Sequence, residues 1–168
     1  NIIPEKGMII MNENKKITIA LGSDHAGFAY KVRLAEYLRQ AGYEVKDVGC
    51  PSEERCHYPL FAHRLCRLVQ SGDCRFGILI CGTGIGMSMA ANKHRGIRAA
   101  VCSDEYSTRM TREHNDANVL CLGARVIDYE TAERLVDIFI NTGYIGGDHD
   151  TRVRMLGEIE NCSFKDGE

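Results

Sequence analysis

The sequence predicts an α/β fold in which a five-stranded parallel sheet lies between two layers of helices. Apolar runs of strand length alternate with amphipathic stretches of helix length, an order typical of βαβ units. Two of the runs, FGILIC (residues 76–81) and IRAAVC (97–102), are nearly continuously apolar, as strands covered on both faces require. The expected architecture is a Rossmann-like three-layer α/β/α sandwich.

The strands and helices can be assigned in chain order. The strand-length runs are KITIALG (16–22), YEVKDVG (43–49), RFGILIC (75–81), IRAAVC (97–102) and NVLCLG (118–123). The helix-length stretches are residues 27–42, 59–72, 85–94, 104–114 and 129–143, with a last short helix in the tail from Tyr144. Gly42, Gly72 and Gly143 follow three of these helices, at the position where glycine commonly ends a helix.

Length and composition predict one globular domain. The chain has 168 residues, of which 44% are hydrophobic and 26% are charged, and a chain of this size buries a sizeable core without disulfides or a structural metal. We expect residues 1–16 to be a loose N-terminal extension, residues 17–160 to form the domain and residues 161–168 to be a C-terminal tail.

Charge and hydropathy argue against two classes of partner. The 21 Lys and Arg residues are spread along the chain and balanced by 23 Asp and Glu residues, so neither nucleic acid nor a large anionic partner is expected. The apolar segment GMIIM (7–11) is too short for a signal peptide or a membrane span. We therefore expect a cytoplasmic protein that binds no membrane.

The eight cysteines form no Cys-x-x-Cys pair, so we expect neither a disulfide framework nor a metal site. Every cysteine except Cys81 is expected to be a small buried hydrophobic residue in a reducing compartment.

Small and polar residues crowd the loops after four strands. Ligands of open parallel sheets bind beyond the carboxyl ends of the strands, which directs attention to SDHAG (23–27), CGTGIG (81–86), CSDEY (102–106) and GARV (123–126). In CGTGIG, the glycines expose backbone N–H groups and a helix begins near Gly86, so the turn suits a small anion. The same positive field favours the thiolate of Cys81, a candidate general base. Base and N–H donors together suit proton abstraction next to a carbonyl.

Other interpretations of these residues stay open. A nucleotide site is one, with Asp104 as a ribose contact, although the turn lacks the Gly-x-Gly-x-x-Gly spacing. A tight turn that needs glycine for steric reasons alone is another. A zinc site from Cys81, His25 and His114 is a third, although no closely spaced ligand pair supports it.

Three segments carry a resemblance to a known family: GSDHAGF, ICGTGIGMSMAANKHRGIRAAVC and REHNDANVLCLGARV. Over roughly residues 16–160 the chain resembles the type B ribose-5-phosphate isomerases, a family that also contains allose- and galactose-6-phosphate isomerases. The resemblance implies a five-stranded α/β/α sandwich that interconverts aldose and ketose phosphates through a cis-enediolate without metal or organic cofactor. REHND favours the ribose or allose phosphate branch.

The resemblance also implies roles for single residues. Cys81 matches the base that moves the proton between two sugar carbons, and Thr83 and His114 match residues that help to open the sugar ring. The negative charge of the enediolate is expected to be stabilised by the backbone amides of Gly82, Gly84, Gly86 and Met87. The positions that contact the substrate in this family are occupied here by Asp24, His25, Tyr58, Asn115, Arg125, His149 and Arg152.

Active sites of this family are built between two subunits, which implies a homodimer, and a tetramer made of two such dimers stays open as the alternative. The residues expected from the partner chain are His114, Asn115, Arg125, His149 and Arg152. One departure concerns phosphate binding, because the family usually has arginine where this chain has Asp148. Asp148 and Arg152 are four residues apart, so we expect them to pair on one helical face.

Overall fold

Five parallel strands form one sheet in the computed structural model, which describes residues 17–165. They are β1 (Thr18–Ser23), β2 (Glu44–Asp47), β3 (Phe76–Cys81), β4 (Ala99–Val101) and β5 (Val119–Gly123). Their order across the sheet is β2-β1-β3-β5-β4, and every pair is parallel. The predicted parallel α/β fold is confirmed. The expected extension at residues 1–16 and positions 166–168 of the tail lie outside the described residues.

Within residues 17–165, six α-helices connect and follow the strands. They are α1 (Phe28–Gln40), α2 (Tyr58–Gln70), α3 (Ile85–Ala91), α4 (Glu105–Glu113), α5 (Tyr129–Asn141) and α6 (Asp148–Glu160). A single 3-10 turn at His25–Gly27 precedes α1. The tail helix α6 has 13 residues, so it is longer than the short helix that the sequence predicts. No helix within residues 17–165 combines the length and apolar character that crossing a lipid bilayer requires.

Helices cover both faces of the sheet centre. Successive side chains of a strand point to opposite faces, and here Ile78 and Leu120 pack with α1 and α5 while Leu79 and Cys121 pack with α2 and α3. All four side chains are completely buried. Burial on both faces explains why β3 and β5 are continuously apolar in sequence.

Two predictions about local structure were wrong. The run IRAAVC supplies an edge strand, β4, in which Val101 is 45% exposed, because β4 has only one neighbouring strand. Gly143 does not end a helix in the left-handed conformation, since α5 passes into extended backbone at Thr142 (φ −91°, ψ 124°). Gly42 (φ +93°) and Gly72 (φ +77°) do adopt it, as predicted.

The cysteines are buried with two exceptions. Cys50, Cys66, Cys74, Cys102 and Cys121 are buried as expected, and so is Cys81. Cys56 is half-buried, and Cys162 is exposed. The expectation of burial fails for Cys162 because it follows α6, a helix that itself buries none of its residues.

Candidate active site

The carboxyl ends of β1, β3 and β5 meet at one end of the sheet. Ser23 pairs with Ile80, and Cys81 pairs with Gly123. The backbone N–H of Asp24 also donates to Ile80 O over 3.2 Å. The structure therefore brings the loops SDHAG, CGTGIG and GARV together, as chain direction predicts.

Cys81 closes β3 with its side chain almost wholly buried, at 5% exposure. The backbone N–H of Gly84 donates a hydrogen bond to Cys81 Sγ over 3.1 Å. Gly84 itself has a φ of +78°, a conformation that favours glycine. The sulfur is thus held as a hydrogen-bond acceptor, a role that a thiolate fills better than a thiol.

The amides of the glycine turn do not all serve the same partner. Because the Gly84 N–H points to sulfur, it is committed to Cys81 and not to an anion in front of the turn. Ser88 is the first residue of α3 whose N–H pairs with a backbone carbonyl, as expected at the start of a helix. Among residues 17–165, no hydrogen-bond acceptor faces the amides of Gly82, Gly86 and Met87.

Thr83 and Tyr58 border the same turn. Thr83 Oγ1 accepts a hydrogen bond from Ile85 N over 3.3 Å, and the threonine side chain is exposed. Tyr58, the first residue of α2, lies against Gly86, where a methyl group would come within 2.9 Å of the phenol ring. Glycine is therefore required at position 86 for Tyr58 to approach the turn.

Arg125 lies beside the turn in its own chain. Its backbone N–H donates to Gly82 O over 3.0 Å, and a methyl group on Gly82 would lie 3.5 Å from Arg125 Cδ. The expectation that Arg125 reaches the site only from a partner chain was therefore wrong. The reason is that β5 ends beside β3, so the residue two positions after Gly123 falls next to Gly82.

Asp24 and His25 begin the loop after β1. Asp24 Oδ1 accepts from Ala26 N (2.9 Å) and Gly27 N (3.2 Å), which fixes the carboxylate at the start of the 3-10 turn. His25 Nδ1 accepts from Cys56 N over 3.4 Å, so a neutral His25 carries its hydrogen on Nε2. The sequence did not predict this contact, because 31 residues separate the two and no local pattern marks it.

A second group of predicted site residues lies after α4. His114 directly follows α4, and its ring stacks on that of His149 with centroids 4.1 Å apart and planes 9° apart. Asn115 follows His114, and Arg152 lies one turn beyond His149 on α6. The backbone N–H of Ile145 donates to Glu113 O over 3.1 Å and connects the tail to α4.

These two groups lie at opposite ends of the sheet. Helix α4 starts after the carboxyl end of β4 and runs antiparallel to the strands, so the turn after α4 lies at the amino ends of the strands. There, Asn118 N donates a hydrogen bond over 3.0 Å to the carbonyl of Arg98, the residue before β4. The six residues of β3 separate the two ends by about 16 Å. His114 therefore cannot reach Cys81 of its own chain, and the chain alone does not assemble the alternative zinc site from Cys81, His25 and His114.

Two further acidic residues have local structural roles. Asp104 Oδ1 accepts from Ser107 N over 2.8 Å, and this hydrogen bond lowers the pKa of Asp104. Its carboxylate thus caps α4 and does not project as a ribose contact. Asp148 lies in the first turn of α6, where an acid suits the helix dipole. The expected Asp148–Arg152 ion pair is absent from the ion pairs of residues 17–165.

Comparison with known proteins identifies the family of this chain. A family model described as Ribose/Galactose Isomerase matches residues 19–156. The chain belongs to this family. Ribose-5-phosphate isomerase B of Escherichia coli is 47% identical to this isomerase over 142 residues, which cover 84% of the chain and 95% of the relative.

Another relative of the isomerase is named for a different substrate. D-erythrulose-4-phosphate isomerase of Pectobacterium atrosepticum is 40% identical over 145 residues, covering 86% of this chain and 95% of that protein. Among solved structures, the Clostridium thermocellum ribose-5-phosphate isomerase B superposes with a TM-score of 0.86 at 49% identity, covering 87% of this chain and 99% of that one. Membership shows that the chain is an isomerase of sugar phosphates, and leaves its own substrate open.

Proposed function

We propose that this isomerase interconverts ribose 5-phosphate and ribulose 5-phosphate through a cis-enediolate, with the Cys81 thiolate as the base. The observation that carries the proposal is the hydrogen bond from Gly84 N to the buried Cys81 Sγ. It places a sulfur prepared for negative charge at the start of a turn whose other amides face no acceptor in the described chain. Base and oxyanion donors are thereby adjacent.

This geometry supports a proton transfer between the two sugar carbons. The thiolate takes the proton from carbon 2 of the open-chain aldose, and the carbonyl oxygen gains negative charge as the enediolate forms. The amides of Gly82, Gly86 and Met87 stabilise that charge, because unpaired backbone donors need no reorganisation to accept an oxyanion. The Cys81 thiol then returns the proton to carbon 1, while the hydroxyl proton moves from the oxygen on carbon 2 to the oxygen on carbon 1, which gives the ketose and regenerates the thiolate.

Ring opening and phosphate binding are assigned to the remaining residues. Thr83 and His114 transfer the proton that opens the furanose, while Asp24, His25, Tyr58 and Asn115 hold the sugar hydroxyls. Arg125 beside Gly82 binds phosphate. His149 and Arg152 add to the phosphate site, which Asp148 makes less positive than an arginine would.

The active site is proposed to form between two copies of the chain. His114 and Cys81 lie at opposite ends of the sheet, so a complete site requires His114, Asn115, His149 and Arg152 of a partner subunit. Helix α6 supports this assembly, because it buries none of its residues and leaves Leu156 and Ile159 about half exposed (47% and 58%). Exposed apolar side chains on one helix are typical of an interface.

Turnover in heavy water tests the proposed reaction. We expect the purified protein to convert ribose 5-phosphate with the highest kcat/KM in a panel that includes allose 6-phosphate and galactose 6-phosphate. Ribulose 5-phosphate should gain solvent deuterium at carbon 1, because a thiol exchanges its proton with water. A protein that binds nucleotides but isomerises none of these sugars would contradict the proposal, and a hexose phosphate as the best substrate would correct it.

A further inference from the structure

The turn that carries His114 and Asn115 contains a strained residue. Asp116 has a φ of +45°, a region that residues other than glycine adopt rarely and at a cost. It follows Asn115 directly, and its backbone N–H donates to Arg112 O over 3.2 Å. Such a conformation persists only where surrounding contacts hold it.

Two arginines hold the Asp116 carboxylate, one on each oxygen. Arg98 Nη2 donates to Asp116 Oδ2 over 2.8 Å, and Arg112 Nη1 donates to Asp116 Oδ1 over 2.9 Å. Arg112 is buried, and its guanidinium lies over the rings of Phe76 and Phe139. Arg112 is therefore part of the core, and its removal would leave an acid and a cavity behind.

Arg98 makes a different set of contacts. Its Nε donates both to Asn115 O (3.0 Å) and to Asp116 O (2.9 Å), so one planar guanidinium holds two successive carbonyls and a carboxylate. Its backbone N–H donates to Asn118 Oδ1 over 2.8 Å, which fixes the backbone from which the side chain extends. Arg98 is 28% exposed and lines a cavity of about 750 Å³ between α6 and the β4 edge.

We propose that Arg98 is a positioning residue that sets the orientation of the His114–Asn115 turn toward the partner subunit's active site. It touches neither substrate nor the reacting atoms and acts through the two carbonyls and Asp116. The functional part of this inference rests on the proposed isomerase reaction, and the structural part does not.

The side chain of Arg98 suits this role better than lysine would. An ammonium group is a single point of charge, whereas the guanidinium fork fits a carboxylate and adjacent carbonyls in fixed directions. Arg98→Met keeps the apolar stem and removes all three contacts. Because Arg98 is partly exposed and Arg112 still pairs with Asp116, the fold is expected to survive this change.

Activity on two substrates separates positioning from general damage. D-erythrose 4-phosphate cannot close a five-membered ring, since its phosphate occupies the oxygen that would close it. For Arg98→Met we expect kcat/KM on ribose 5-phosphate to fall about 10- to 100-fold, as misplacement of a catalytic group does, with a much smaller fall on erythrose 4-phosphate. Arg98→Lys should show an intermediate loss, and Arg134→Met, which removes an exposed ion pair with Glu105, should show none.

The imidazole NMR signals give a readout that needs no activity. We expect the His114 signal, assigned with His114→Ala, to shift in Arg98→Met and to stay in place in Arg134→Met. An unchanged His114 signal in folded Arg98→Met would overturn the inference, even if the proposed reaction were also wrong. Equal losses on both substrates with a lowered Tm would likewise assign Arg98 to stability alone.

Discussion

Replacement of Cys81 by serine is expected to lower kcat on ribose 5-phosphate by roughly 100- to 10,000-fold, the range that general acid–base catalysis contributes. A serine hydroxyl is far too weak an acid to supply a base near neutral pH. The fold should persist, because the hydroxyl is smaller than the thiol and can still accept the hydrogen bond from Gly84 N. The measurement is kcat together with Tm for both proteins.

Cys66→Ser is the matched control for this change. Cys66 is also buried, and burial raises its pKa to about 12, so it is a neutral thiol near neutral pH. Its Sγ faces Ala91 O at 3.9 Å, which offers a serine hydroxyl an acceptor. We expect Cys66→Ser to retain activity. Near-normal turnover by Cys81→Ser would eliminate the thiolate mechanism.

His114→Ala is expected to slow the cyclic substrate selectively. If the imidazole moves a proton on the ring oxygen, kcat/KM for ribose 5-phosphate should fall by about 100-fold or more, while erythrose 4-phosphate, which forms no ring, should lose far less. The two substrates are compared in one buffer, with His63→Ala as a control because His63 lies exposed on α2. Equal losses on both substrates would show that His114 acts elsewhere in the reaction.

Sequence patterns predicted which residues of the candidate site lie together at one end of the sheet. Three glycines after a buried strand mark a turn that exposes amides, and the end of that strand puts Cys81 beside them. The parallel sheet then brings Asp24 and His25 to the same end, because parallel strands share a direction.

Relations across the sheet could not be predicted in the same way. The apolar run IRAAVC has the composition of a central strand, yet β4 lies at the edge, since strand order depends on packing between distant segments. The position of Arg125 beside Gly82 follows from the pairing of β5 with β3. The Asp148–Arg152 pair was expected from helical spacing alone, which brings two side chains to one face without making them touch.

The Arg98 contacts lay beyond sequence reasoning for a further reason. Arg98 and Asp116 are 18 residues apart, and a positive φ at Asp116 leaves no mark in the local sequence. Aspartate tolerates that conformation better than most residues, but it is also common in ordinary turns. Only the folded chain shows two arginines converging on one carboxylate.

Mixing the two inactive variants tests the central claim, that Cys81 and His114 of different subunits form one active site. Cys81→Ser and His114→Ala are combined in equal amounts, unfolded and refolded together, and assayed with ribose 5-phosphate. Random pairing makes half of the dimers mixed, and each mixed dimer holds one intact site of two, so activity should recover to about a quarter of the wild-type value. The claim would be contradicted if mixed dimers form but the mixture is no more active than either variant alone.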